Sequence, residues 1–153
     1  MTEPRIFASL DDLRSAVGED LGTTDWLEID QKRIDLFAEA TGDHQWIHVD
    51  PEKAAAGPFG TTIAHGYLTL SLLPTLVPRL MRVEGVRMGL NYGVNKVRFP
   101  ATVPVGSRLR ASARIAEVSE VKGGVQLTTG VTIEREGGEK PVCVAESVSR
   151  FYL

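Results

Sequence analysis

The apolar positions of this chain change period near Val86. Before that point they recur at spacings of three and four, the mark of helices packed by one face; beyond it they mostly alternate, the mark of strands. Ser9 followed by Asp12 reads as a helix entry, with the hydroxyl accepting a backbone N–H and an acid in the first turn, and Gly18 marks the exit. After Gly22, the stretch Thr23 to Ile29 alternates like a strand. Asp30 then caps a second helix whose Ile34, Phe37 and Ala38 share a face, with its end at Gly42. Asp50 before Pro51 predicts a helix of a couple of turns that stops at Gly57. From Ala64 to about Leu80, the residues Leu68, Leu72, Leu73, Leu76 and Leu80 form a broad apolar stripe. Pro74 and Pro78 each remove a donor, so this central helix is expected to kink or to end early.

The strands expected beyond it are Val86 to Leu90, Asn95 to Phe99, Arg108 to Ile115, Val125 to Ile133 and Val142 to Tyr152. Pro100, Pro104 with Gly106, Lys122-Gly123-Gly124 and Gly137-Gly138 separate them at spacings suited to antiparallel pairing. An apolar helix followed by a sheet with one apolar face is best buried by wrapping the sheet around the helix, which makes the fold class α+β. With 153 residues, 42% of them hydrophobic, the chain can close a core without disulfides or a structural metal. No repeat or linker marks a boundary, and residues 1–153 read as a single domain.

Charge and cysteine content narrow the function classes. The formal net charge of -3 comes from 17 basic and 20 acidic residues scattered along the chain, so no basic face for nucleic acid is expected. Cys143, the single cysteine, lies in the alternating run Pro141 to Ala145 and suits a buried apolar role in a reducing compartment. The N-terminus lacks the basic start and apolar run of a secretory signal, and the apolar stretch near residues 67 to 77 is interrupted by Thr69, Ser71, Pro74 and Thr75. The expectation is a cytoplasmic protein with no membrane partner.

Candidate chemistry is concentrated in one place. His44, His48 and His65 fall within 22 positions, with Asp43 and Asp50 among them. Gly42 is expected to leave its helix left-handed, so that Asp43 to His48 is irregular backbone on which a carboxylate and an imidazole can face one point. Adding water to a double bond conjugated to a thioester needs a base for the water proton and an acid for the alpha carbon, and Asp43 with His48 supplies that pair. The developing enolate oxygen needs donors, which Ala64-His65-Gly66-Tyr67 offers if the central helix starts there with unpaired N–H groups.

Blander roles suit the neighbours. His44 reads as exposed loop and Asp50 as an N-cap, while His65 either caps the central helix or touches the thioester. Trp46 and Tyr67 are read as pocket walls, and Lys96 and Arg98 as a solvated strand face. A metal site on His44, His48 and Asp50 scores poorly, because His-Glu-x-x-His on a regular helix is absent. Gly-x-Ser-x-Gly and phosphate-binding glycine loops are absent too; Gly57-Pro58-Phe59-Gly60 reads as a turn.

The run Phe37 to His48 resembles the signature of the MaoC-like, (R)-specific enoyl-CoA hydratases: an aromatic residue, then Gly-Asp-x-Asn-Pro-aliphatic-His. Ala64-His65-Gly66-Tyr67-Leu68 is similar to that family's His-Gly segment, and Asn91 to Pro100 followed by Val103 to Gly106 resembles the stretch after its central helix. The resemblance covers roughly residues 20 to 152. It implies a hot dog fold, an antiparallel sheet around a long central helix, with two units pairing edge to edge as a homodimer. It also implies catalysis by Asp43 and His48 and an oxyanion amide at Gly66; beside that pair, Gln45, Trp46, His65 and Tyr67 are the substrate contacts expected from their places in the sequence. The substrate would be an acyl-CoA thioester, hydrated to an (R)-3-hydroxyacyl product with no metal or redox cofactor. Gln45 and Trp46 depart from the usual Asn and Pro, a variant familiar in the nodulation-protein-N-like branch. Gln45 carries its amide one methylene farther out, and Trp46 adds bulk without proline's fixed dihedral. On the same scaffold a non-catalytic acyl-thioester binding subunit and a thioesterase are the rival readings.

Overall fold

The computed structural model describes residues 3–153. Its front half holds β1 (Arg5–Phe7), α1 (Leu10–Arg14), β2 (Asp20–Thr23), β3 (Leu27–Glu28), α2 (Gln31–Thr41), α3 (Trp46–Val49) and α4 (Pro51–Ala55). The middle holds α5 (Gly66–Leu70), α6 (Leu73–Leu76), a 3-10 turn over Val77–Arg79 and β4 (Met81–Val83). The long strands β5 (Met88–Arg98), β6 (Arg108–Val121), β7 (Gly124–Arg135) and β8 (Cys143–Tyr152) follow.

The expected caps form for the expected reasons. Ser9 accepts the N–H of Asp12, Asp30 that of Arg33 and Asp50 that of Lys53, each meeting a donor that the first helical turn leaves unpaired. The six-stranded sheet has the order β2-β6-β7-β8-β5, with β3 also on β6, and all its pairs are antiparallel. Leu109, Ala111, Ala113 and Ile115 of β6 point inward with Leu127, Val131 and Ile133 of β7, and they meet Leu68, Leu72, Leu76 and Leu80 in one core cluster. This is the hot dog arrangement of a sheet wrapped around a central helical segment.

That segment is not one long helix. It breaks into α5, α6 and the 3-10 turn, with Pro74 and Pro78 each in the first turn of a new piece, where a missing N–H costs least. Leu76 and Leu80 remain fully buried, so the apolar stripe survives the breaks. The strand expected over Thr23 to Ile29 is split between β2 and β3. Between them, the Thr24 hydroxyl takes the N–H of Ala111 at 3.0 Å beside the Thr24 N–H to Ala111 carbonyl bond at 2.8 Å. The two strands expected over 86–90 and 95–99 are one, β5, whose register against β8 shifts between Asn91 and Gly93 and again between Val94 and Val97. The parallel pair β1–β4 was not expected at all.

Among the described residues no helix is long and apolar enough to cross a membrane. Cys143 is fully buried at the start of β8, and burial pushes its thiol up to about 11. A thiol so shielded is a poor nucleophile near neutral pH. The folded protein is therefore expected to resist an aromatic disulfide reagent and to react fully once unfolded; fast stoichiometric labelling of the native state would contradict this placement.

Candidate active site

Helix α2 ends at Gly42 with φ 83°, its N–H donating to Ala38 at 2.8 Å, and this left-handed residue swings the chain out of the helix. Asp43 follows, exposed, with one carboxylate oxygen accepting the N–H of Gln45 at 3.3 Å. The Gln45 carbonyl in turn accepts the N–H of His48 at 2.9 Å, closing the single turn of α3. The main chain of Gln45 thus ties Asp43 to His48, and its side chain is not used.

His48 is 6% exposed. Its Nδ1–H donates to the Ile63 carbonyl at 2.7 Å, which fixes the tautomer because a carbonyl only accepts. In the unprotonated ring Nε2 then carries the lone pair. Ile63 is itself held: its N–H donates to Ile47 at 3.0 Å, and it bridges Pro104 in the loop between β5 and β6. The amide of Gln31 donates to the His48 carbonyl at 2.8 Å and its oxygen accepts the Thr62 hydroxyl at 2.5 Å. His48 titrates below the ordinary histidine value of 6.5, chiefly because burial disfavours its charged form; the Ile63 carbonyl opposes this, His65 adds to it and Asp43 opposes it.

One carboxylate oxygen of Asp43 and one ring nitrogen each from His48 and His65 lie within 4.8 Å of one another. These residue types can also hold a cation: one nitrogen of each ring donates to a carbonyl, which leaves the other as a possible ligand.

A cavity of about 200 Å³ opens on His48, Gly66, Thr69, Phe99, Val103 and Val142. Gly66 begins α5, so its N–H has no acceptor within the helix. The Phe99 ring lies on it, and a Cβ at position 66 would stand 3.0 Å from that ring, so a larger residue would require the ring to shift by a few tenths of an ångström. The Thr69 hydroxyl is buried without a partner. Two larger cavities lie elsewhere: an apolar one of about 360 Å³ between α6 and β5, and a groove of about 410 Å³ on the outer sheet face where Lys96 and Arg98 stand with Asp20 and Glu146. Neither contains a histidine.

Among the substrate contacts expected from sequence, none lines the His48 cavity in this chain. Gln45 is exposed and makes no side-chain cap bond. Trp46 packs on Gly57, where a Cβ would come within 2.9 Å of its ring, and the Lys53 ammonium lies 4.9 Å above that ring. Tyr67 is 71% exposed and faces Phe99 at 6.2 Å. His65 is buried against His48 with ring centroids 3.9 Å apart. His44 stands near Glu39 at 3.9 Å, away from the pair, and Asp50 caps α4. Sequence reading missed Gln31, Thr62, Thr69 and Phe99 as site residues; Thr69 and Phe99 lay in segments already singled out.

The model of the family described as MaoC like domain matches residues 12–136. The chain is 58% identical to 3-hydroxyacyl-thioester dehydratase Z of Mycobacterium tuberculosis over 96% of its own length and 98% of that protein. It is 45% identical to nodulation protein N of Rhizobium leguminosarum bv. viciae, covering 92% and 89% of the two chains. The unliganded R-hydratase of Pseudomonas aeruginosa superposes with a TM-score of 0.69 and 26% identity, over 89% of this chain and 81% of that one.

The lowered His48 value has a consequence for stability. The unfolded chain takes up this proton near the ordinary value and the folded chain only at lower pH, so the stabilisation is present above about pH 6.5 and is lost progressively as pH falls below it. Urea midpoints are expected to drop between about pH 7.5 and about pH 5.5, and to drop less in His48→Gln. An equal drop in both proteins would contradict the placement of this ring.

Proposed function

The chain belongs to the MaoC-like domain family and is a dehydratase of it, and from that premise we propose that it is an (R)-specific hydratase that adds water reversibly to trans-2-enoyl-CoA, giving (R)-3-hydroxyacyl-CoA. The observation that carries the reading is the closeness of the Asp43 carboxylate to the ring of His48, which lines a cavity together with Gly66; Asp43 itself is not among the lining residues. His48 Nε2 takes a proton from water as the water oxygen bonds to the beta carbon. The electron pair of the double bond moves toward the thioester oxygen, where the Gly66 N–H receives the negative charge. Asp43 holds the water by accepting its second hydrogen, and the proton taken from the water returns to the alpha carbon on the same face. One water is consumed, the addition is syn, and the sequence of steps calls for no metal or redox group. Placing His48 in a buried site keeps its base form populated at neutral pH.

A homodimer and a cytoplasmic location belong to the same proposal. Strand β5 bonds β8 along one edge and presents eleven residues on the other, with Leu90, Tyr92 and Val94 exposed. A long, apolar free edge of this kind invites pairing with another strand. Pairing β5 with β5 of a second copy satisfies it. The protein is expected to sediment as a dimer, and Val94→Pro, which puts a residue unable to continue a strand ladder in the middle of β5, to sediment as a monomer; a monomeric wild type at micromolar concentration would overturn the dimer.

Hydration is measured by loss of the conjugated thioester absorbance of crotonyl-CoA and longer enoyl-CoA substrates. Asp43→Asn and His48→Gln are each expected to lower turnover by at least about 100-fold with the fold intact. Full activity in either variant, or release of free thiol from saturated acyl-CoA in place of hydration, would sink the reading.

A further inference from the structure

We propose that His65 is a positioning residue for the reaction, a tether that fixes the Asp43 loop against the His48 ring and the first turn of α5. This rests on the hydratase reading of the same site.

His65 is 3% exposed and is the residue in which the separate parts of the site meet. Its Nε2–H donates to the main-chain carbonyl of Asp43 at 3.0 Å across 22 positions of sequence. Its ring lies nearly parallel to that of His48, 24° between planes and 3.9 Å between centroids, while Phe37 of α2 leans against it at 4.9 Å. Its own carbonyl accepts the N–H groups of Leu68 and Thr69 at 3.1 and 3.2 Å, and the next residue is Gly66. A single residue therefore links the Asp43 loop and the His48 ring, through its side chain, to the amide assigned to the thioester oxygen, through its main chain.

Without the tether nothing equivalent holds Asp43. The residue is exposed, and the bond the structure gives its carboxylate is the local one from Gln45. Gly42 on its other side has φ 83° and no side chain to pack. Fixing the Asp43 carbonyl fixes the Cα from which the carboxylate is aimed, and misplacing a reacting group by about 1 Å can cost about 100-fold in rate. Both ring nitrogens of His65 are enclosed, Nε2 on the Asp43 carbonyl and Nδ1 buried, so it acts through Asp43 and His48 and not by touching the acyl group. The bond to Asp43 also assigns the ring its tautomer: Nε2 carries the proton, and Nδ1 is left buried without a partner.

Two substitutions separate the tether from the packing. His65→Phe keeps a ring against His48 and Phe37 but has no donor; His65→Gln loses the ring but carries an N–H to the same reach. His65→Phe is expected to lower kcat on crotonyl-CoA by at least about 10-fold with KM within about threefold, and His65→Gln to recover most of that loss. Wild-type kcat in His65→Phe, a rise in KM with kcat unchanged, or His65→Gln as slow as His65→Phe would each overturn the proposal. Should His65→Phe fail to fold, nitrogen-15 resonances of the wild-type histidines decide: the proton of His65 on Nε2 supports the tether and a proton on Nδ1 refutes it. That spectrum requires no turnover. A wild type without hydratase activity therefore defeats the reading of function, while the ring assignment stands or falls by itself.

Discussion

The hydrogen bond from His48 Nδ1 to the carbonyl of Ile63 governs the rest of the site. A nearly buried imidazole loses water from the nitrogen turned into the protein and must find a partner for its N–H there, or the burial is costly. The carbonyl supplies one, and in doing so leaves the other nitrogen as a lone-pair acceptor. Burial then favours the uncharged ring, so the bond that makes the histidine tolerable inside the protein also makes it a base. The carbonyl is no free agent either. Ile63 is bonded to α3 through Ile47 and to the β5–β6 loop through Pro104, so the sheet end and the helix that carries His48 jointly set where the proton sits.

The departure at Gln45 and Trp46 fits that scheme. What the site takes from position 45 is main chain, an N–H to Asp43 and a carbonyl to His48, and any residue other than proline provides both. At position 46 the indole is received by Gly57, which has no Cβ to obstruct it, on the side of α3 turned toward α4. The spacing from Asp43 to His48 is untouched because the bulk leaves sideways. Proline's stiffness at position 46 is replaced by packing.

Much of this was legible in sequence wherever the cause was local. Ser9, Asp30, Asp50 and Gly42 cap or end helices through contacts within four residues, and the two prolines of the central segment announced its breaks. Asp43, His48 and Gly66 were visible because their spacing and residue types carry chemistry. The contacts that aim them were not. Gln31 to Thr62, the stacking of His65 on His48 and the Phe99 ring on Gly66 join positions 31, 17 and 33 residues apart, and no periodicity records such pairs. The split between β2 and β3 escaped notice for a related reason, since a threonine hydroxyl standing in for a ladder bond looks like any other β-branched residue.

Strand β5 connects the site to the outer surface. Just beyond its last residue, Phe99 lies on Gly66 and walls the cavity, while its free edge presents Leu90, Tyr92 and Val94. Phe99 is also 37% exposed and faces Tyr67, which is 71% exposed, so the aromatic rim of the cavity continues onto the surface that an edge-paired second copy would approach. In the proposed dimer, covering that rim withdraws water from the neighbourhood of a base whose function already depends on being dry. Association and catalysis would then draw on the same physical quantity, the exclusion of solvent from His48, and a weakened edge would be felt first as a base too easily protonated.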